Sequence, residues 1–94
     1  MTDIVFTEKA TDNLIAQALY IYEQTLDIDT SDRYMITMKK YISQTLNQFP
    51  QLGRLAEEFG KEIRKLVYKR YSILYRIEKD YILIITIYKE NLPF

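Results

Sequence analysis

Histidine, cysteine and tryptophan are missing from these 94 residues, and glycine and proline occur only twice each. Without histidine or cysteine, the common zinc sites, Ser-His-Asp triads and Cys-His pairs cannot be built. The lack of cysteine also removes any disulfide framework and gives no sign of an oxidising compartment, so a cytoplasmic location is expected. Two glycines are too few for a phosphate-cradling loop. No metal, cofactor or small-molecule substrate is therefore expected. The opening MTDIVFTEKATDN has neither a basic stretch nor a long apolar one, so no signal peptide is expected. The longest apolar run, Tyr81 to Tyr88, is far too short to span a bilayer, and no membrane partner is expected.

What is present fits one domain over residues 1–94, long enough to bury a modest core without staples. The formal net charge is zero, which argues against a surface that condenses wholesale on nucleic acid. The charge is unevenly placed. Residues 1–60 carry five Lys/Arg against nine Asp/Glu, whereas residues 61–94 carry eight against four.

Ile4, Val5 and Phe6 form a short β-prone run, and Thr7-Glu8 offers a helix cap with an acid in the first turn. Leu14, Ile15, Ala18, Leu19, Tyr22 and Leu26 then recur at helical steps, predicting a helix over 8–26. The stretch DIDTSD, 27–32, is expected to close this helix and start a second one carrying Met35, Met38, Ile42, Leu46 and Phe49 until Pro50 stops it. Met35 and Met38 share that stripe, so they read as core, although soft methionines also suit an adaptable groove.

From Ile63 the period changes to that of strands: EIRKLVY, YSILYRIE and YILIITIY, with Lys79-Asp80 as a tight turn between the last two. That turn pairs Arg76 with Leu83 and Tyr75 with Ile84. One sheet face then holds Tyr71, Ile73, Tyr75, Ile77, Ile82 and Ile84. The other holds Ser72, Leu74, Arg76, Glu78, Leu83, Ile85 and Ile87. The predicted architecture is α+β, in the order β-α-α-β-β-β, with the helical hairpin packed on a mainly antiparallel twisted sheet. Leu14, Ile15, Met35, Met38, Ile42, Leu46, Ile73, Tyr75, Ile82 and Ile84 are its expected core. A sheet apolar on both faces needs cover on both. The second face is expected to expose Leu74, Leu83, Ile85 and Ile87 until the tail NLPF or a partner meets it.

The order of strand, helical hairpin and FPQLGR, followed by Arg64-x-Leu66, Tyr71 and Tyr75-Arg76-Ile77, resembles the ParE/RelE superfamily of toxins from type II toxin–antitoxin systems. The long hairpin and the Pro50-x-x-Gly53-Arg54 turn look more like ParE than like the compact, basic RelE ribonucleases. The resemblance implies a small bacterial toxin of plasmid-stabilization type, neutralised by a cognate antitoxin, with DNA gyrase as its target. The alternative it implies is a RelE-like endonuclease that cuts mRNA on the ribosome. The chain departs from the family at the end of its last strand, where Tyr88-Lys89-Glu90-Asn91 replaces the usual histidine and arginines. A degenerate member that binds antitoxin without toxicity is a third reading.

An RNA-cleaving site without histidine would need cations to stabilise the phosphate and a phenol to move a proton, and Arg64, Arg76, Tyr88 and Lys89 are the candidates. For target or partner binding the candidates are Arg64, Arg76, Leu74, Leu83, Ile85, Ile87, Leu92 and Phe94. In KLVYKRYSILYRI, Tyr71, Ile73, Tyr75 and Ile77 alternate with period two, which reads as a strand and not as a platform for bases. Arg76, with Leu83 and Ile85 across the sheet, needs a carboxylate, backbone carbonyls or a phosphate.

Overall fold

The computed structural model describes residues 2–90. Strand β1 (Asp3–Phe6) leads into helices α1 (Glu8–Thr25) and α2 (Ile28–Gln48). Strands β2 (Arg54–Leu55), β3 (Arg64–Tyr68), β4 (Tyr71–Ile77) and β5 (Tyr81–Lys89) follow, with a 3-10 turn at Glu57–Phe59 between β2 and β3. Among the described residues no helix is long and apolar enough to cross a membrane.

The caps explain the hairpin. Thr7 Oγ1 accepts from the Ala10 amide at 3.0 Å and donates to the Ile85 carbonyl at 2.7 Å, so one hydroxyl starts α1 and ties it to β5. Leu26 ends α1 in a left-handed conformation, and the next residue, Asp27, caps α2 through the Asp29 amide and the Thr30 hydroxyl. Those hydrogen bonds, Thr30's first, hold the Asp27 carboxyl below its usual range. The connector is thus two residues, shorter than the expected 27–32, because one capping aspartate suffices.

Ala10, Leu14 and Ala18 line the buried stripe of α1, opposite Met38, Ile42 and Leu46 of α2. Ser31 Oγ donates to the Ala18 carbonyl at 2.7 Å where the helices approach. Ile15, expected in the core, is 51% exposed. Two apolar stripes run along α1, and the one containing alanines is buried because small side chains let backbones come close.

The sheet order is β1-β5-β4-β3-β2, with β1 parallel to β5 and every other pairing antiparallel. The β4/β5 hairpin has the expected register at Arg76 opposite Leu83 and Tyr75 opposite Ile84. Then a bulge intervenes: Leu74 pairs with Thr86, leaving Ile85 without a partner on β4. The extra residue reverses the alternation, so Ile87 stands opposite Ile73 on the helix side and is fully buried in the core. The expectation that Ile87 lies on the second face is corrected by that bulge.

Leu74 is also buried, at 4% exposure, while Leu83 and Ile85 are partly buried. Segment 56–63, whose Glu62 and Ile63 open the strand predicted for the EIRKLVY run, lies ahead of β3 and helps to cover this face. Ala56 and Ile63 are buried, the Ala56 amide donates to the Ile63 carbonyl at 2.7 Å, and the Phe59 ring lies 6.4 Å from that of Tyr88. The short β2 within the Pro50–Ile63 connection adds one strand to the expected order. At the opposite edge β1 pairs only with Tyr81 to Ile84. Beyond it, side chains of α1 replace a strand: Asn13 Oδ1 accepts from the Ile87 amide at 3.0 Å and Gln17 Nε2 donates to the Ile87 carbonyl at 2.9 Å.

Candidate functional site

The Pro50–Arg54 turn is held by β3 and β4. Tyr75, wholly buried, donates its hydroxyl to the Pro50 carbonyl at 2.7 Å and accepts from the Gly53 amide at 2.9 Å. Burial pushes the Tyr75 phenol up, with the Gly53 hydrogen bond acting the other way. A Cβ at Gly53 would lie 2.8 Å from Tyr75 Cε1 and 2.9 Å from the Lys65 carbonyl, so only glycine fits there. Arg64, opposite Tyr75, donates to the Gly53 carbonyl at 2.8 Å. Its guanidinium therefore helps fasten the turn.

The second sheet face carries a different arrangement. Arg54, paired with Lys65 across β2 and β3, meets Glu58 at 2.9 Å. Lys65 meets Glu90 at 2.6 Å, and Glu90 also accepts from Ser72 Oγ at 2.6 Å. Lys65 Nζ lies 6.0 Å from the Phe59 ring centroid and 5.9 Å from that of Tyr88. Arg76 Nε pairs with the carboxylate of Glu78, the residue just past the end of β4. These contacts raise the Arg54, Lys65 and Arg76 pKa values, chiefly through hydrogen bonds to Glu58, Glu90 and Glu78. Lys65 and then Ser72 lower that of Glu90. Arg54, Lys65 and Arg76 thus each hold a carboxylate of their own chain.

The ribonuclease candidates do not share a cleft. Arg64 and Arg76 project from opposite faces, since Arg64 sits across from Tyr75 and Arg76 is its neighbour. Tyr88 is on the face of Arg76 but stands opposite Ser72, four residues along β4, or about 13 Å away. Lys89 is opposite Tyr71 at the far end of β5 and exposed. Of the binding candidates, Leu74 and Ile87 are buried, whereas Leu83 and Ile85 keep partial exposure; Leu92 and Phe94 lie outside the described residues. Among the described residues no cluster of three or more acidic side chains could hold a metal.

Lys65 on β3, Ser72 on β4 and Glu90 just past the end of β5 are brought together only by the folded sheet, which sequence spacing does not reveal. The Arg76-Glu78 pair is open to sequence reading: two residues apart along extended chain means the same face. Arg54 on β2 and Glu58 in the following 3-10 turn meet because the chain bends between them, which their spacing alone does not show.

Residues 4–91 match the family described as the ParE toxin of type II toxin-antitoxin system, parDE. This chain belongs to the ParE toxin family. Among solved structures, a chain described as the chromosomal ParDE TA system from P. aeruginosa superposes with a TM-score of 0.78 at 18% identity. The alignment covers 97% of this chain and 98% of that one, so the ParE-like fold extends over nearly all of both. No curated protein matches in sequence. In this ParE-family chain, the Pro50-x-x-Gly53 turn has a physical reason: Tyr75 requires a carbonyl at one end and a glycine at the other.

Proposed function

We propose that this ParE-family protein is the toxin of a type II pair, neutralised by a cognate antitoxin, and that it acts by binding DNA gyrase without cutting RNA. The observation that supports this reading is the pairing of Arg54, Lys65 and Arg76 with Glu58, Glu90 and Glu78. A ribonuclease must bring cations to a scissile phosphate, and a carboxylate already seated on each cation repels that phosphate. Inhibition by binding makes no such demand, because a small patch of anchors dominates it. Leu83 and Ile85, with Leu92 and Phe94 of the tail, are the proposed anchors.

Induction in cells, with supercoiling and transcript ends followed together, tests the reading. The expected outcome is DNA damage signalling without codon-phased cuts in mRNA. Deleting Asn91 to Phe94 should weaken toxicity more than antitoxin binding. Phased cleavage abolished by Arg76→Ala would establish the ribosome-dependent nuclease instead, with a loss on the order of 10²–10³ for a catalytic donor. Arg76 is the cleaner probe, since Arg64 also fastens the Gly53 turn. An effect on neither process would point to an antitoxin-binding module without toxicity.

A further inference from the structure

The β3/β4 turn is made of Lys69 and Arg70, with φ of 50° and 72°. A two-residue turn between right-twisted strands requires left-handed backbone, which Asn-Gly supplies at little cost and Lys-Arg does not. Strain of this kind persists where something else requires the side chains. Beside the turn, between α2 and the hairpin, lies a groove of about 270 Å³. Tyr34, Met38, Tyr68 and Tyr71 form its apolar wall, Arg33 and Lys69 bring positive charge, and no carboxylate lines it among the described residues.

From this placement we propose that the groove docks an acidic segment of a partner protein, with one aliphatic side chain resting on the wall formed by Tyr34, Met38 and Tyr71 and carboxylates meeting Arg33, Lys69 and Arg70. A nucleobase fits less well. Tyr68 is stacked on Tyr41 at 3.7 Å between centroids and has Lys69 Nζ 5.4 Å over its ring, so its faces are taken. Tyr71 packs against Tyr34 at 5.4 Å. With the rings engaged in packing, the groove offers apolar edges and cations, which suit a peptide better than a stacked base. The inference is independent of whether gyrase is the toxin's target.

The test titrates isotope-labelled full-length protein with a synthetic peptide bearing one leucine among aspartates and glutamates. Its lysine counterpart and an oligothymidylate strand are run in parallel. Saturable shifts at Thr37, Met38, Lys69 and Tyr71, seen with the acidic peptide and weakened by salt, are the expected result. Two variants sharpen it. Lys69→Asn with Arg70→Gly should melt at a higher temperature and bind about tenfold more weakly. Thr37→Glu, which places a carboxylate in the exposed wall, should abolish binding while the fold is retained. The proposal is overturned by the absence of saturable binding, by equal binding of the lysine peptide, or by tighter binding of the oligonucleotide. Shifts centred elsewhere, or a turn variant that keeps its affinity or melts lower, overturn it as well.

Discussion

Tyr75 and Gly53 form a matched pair: the phenol accepts the Gly53 amide at 2.9 Å, and the absence of a side chain at Gly53 makes room for the ring. Tyr75→Phe keeps the ring and removes the hydroxyl, stranding the Gly53 amide and the Pro50 carbonyl. The expected loss is about 1–3 kcal/mol in urea unfolding. Gly53→Ala should cost at least as much, because the new methyl group meets both Tyr75 and the Lys65 backbone. If both variants unfold like the parent, the turn is not held in this way.

The helix register makes a sharper contrast. Ile42 and Leu46 are fully buried, so truncating either to alanine should cost about 2–5 kcal/mol. Ile15→Ala, on the exposed stripe of α1, should change stability by no more than about 0.5 kcal/mol. Equal losses at Ile15 and Ile42 would contradict the stripe assignment.

That contrast also marks what the sequence could disclose. Helical periodicity identifies both helices, and Pro50 marks the end of the second, but α1 carries two neighbouring apolar stripes. Which one is buried depends on the approach of α2, a tertiary fact. Strict alternation places Ile82 and Ile84 correctly and fails at Ile87, because no residue type in LIITI announces the bulge at Ile85. Arg76, which needs a partner among apolar neighbours, finds it in the nearest carboxylate in sequence, Glu78. Lys65 and Glu90 are 25 residues apart, and only the folded sheet brings them to 2.6 Å.

The Lys65-Glu90 pair gives a pH expectation with a definite sign. Glu90 has a depressed pKa in the folded chain, so its contribution is present above the pKa of the unfolded state and is lost as pH falls through the folded value. Carbon-detected NMR should find the Glu90 carboxyl titrating below an ordinary glutamate. Lys65→Met should move that midpoint upward, since Lys65 is the larger cause and Ser72 the smaller. An unchanged midpoint in the variant would mean that the pair does not persist in solution.

At the sheet edge, Asn13 and Gln17 hold the Ile87 backbone in place of a strand. Asn13→Ala should expose the Ile87 amide and speed its hydrogen–deuterium exchange relative to the Thr7 amide, which donates to the Ile84 carbonyl. Equal protection in parent and variant would assign Ile87's protection to something other than α1.

The reading of this chain as a toxin that works by binding is tested most directly with purified protein and purified gyrase in a plasmid supercoiling assay. Titrating the protein should suppress formation of negatively supercoiled DNA, and Arg76→Ala should leave that inhibition intact, since the Arg76 guanidinium is already engaged by Glu78. Full supercoiling activity in the presence of excess folded protein would contradict the reading.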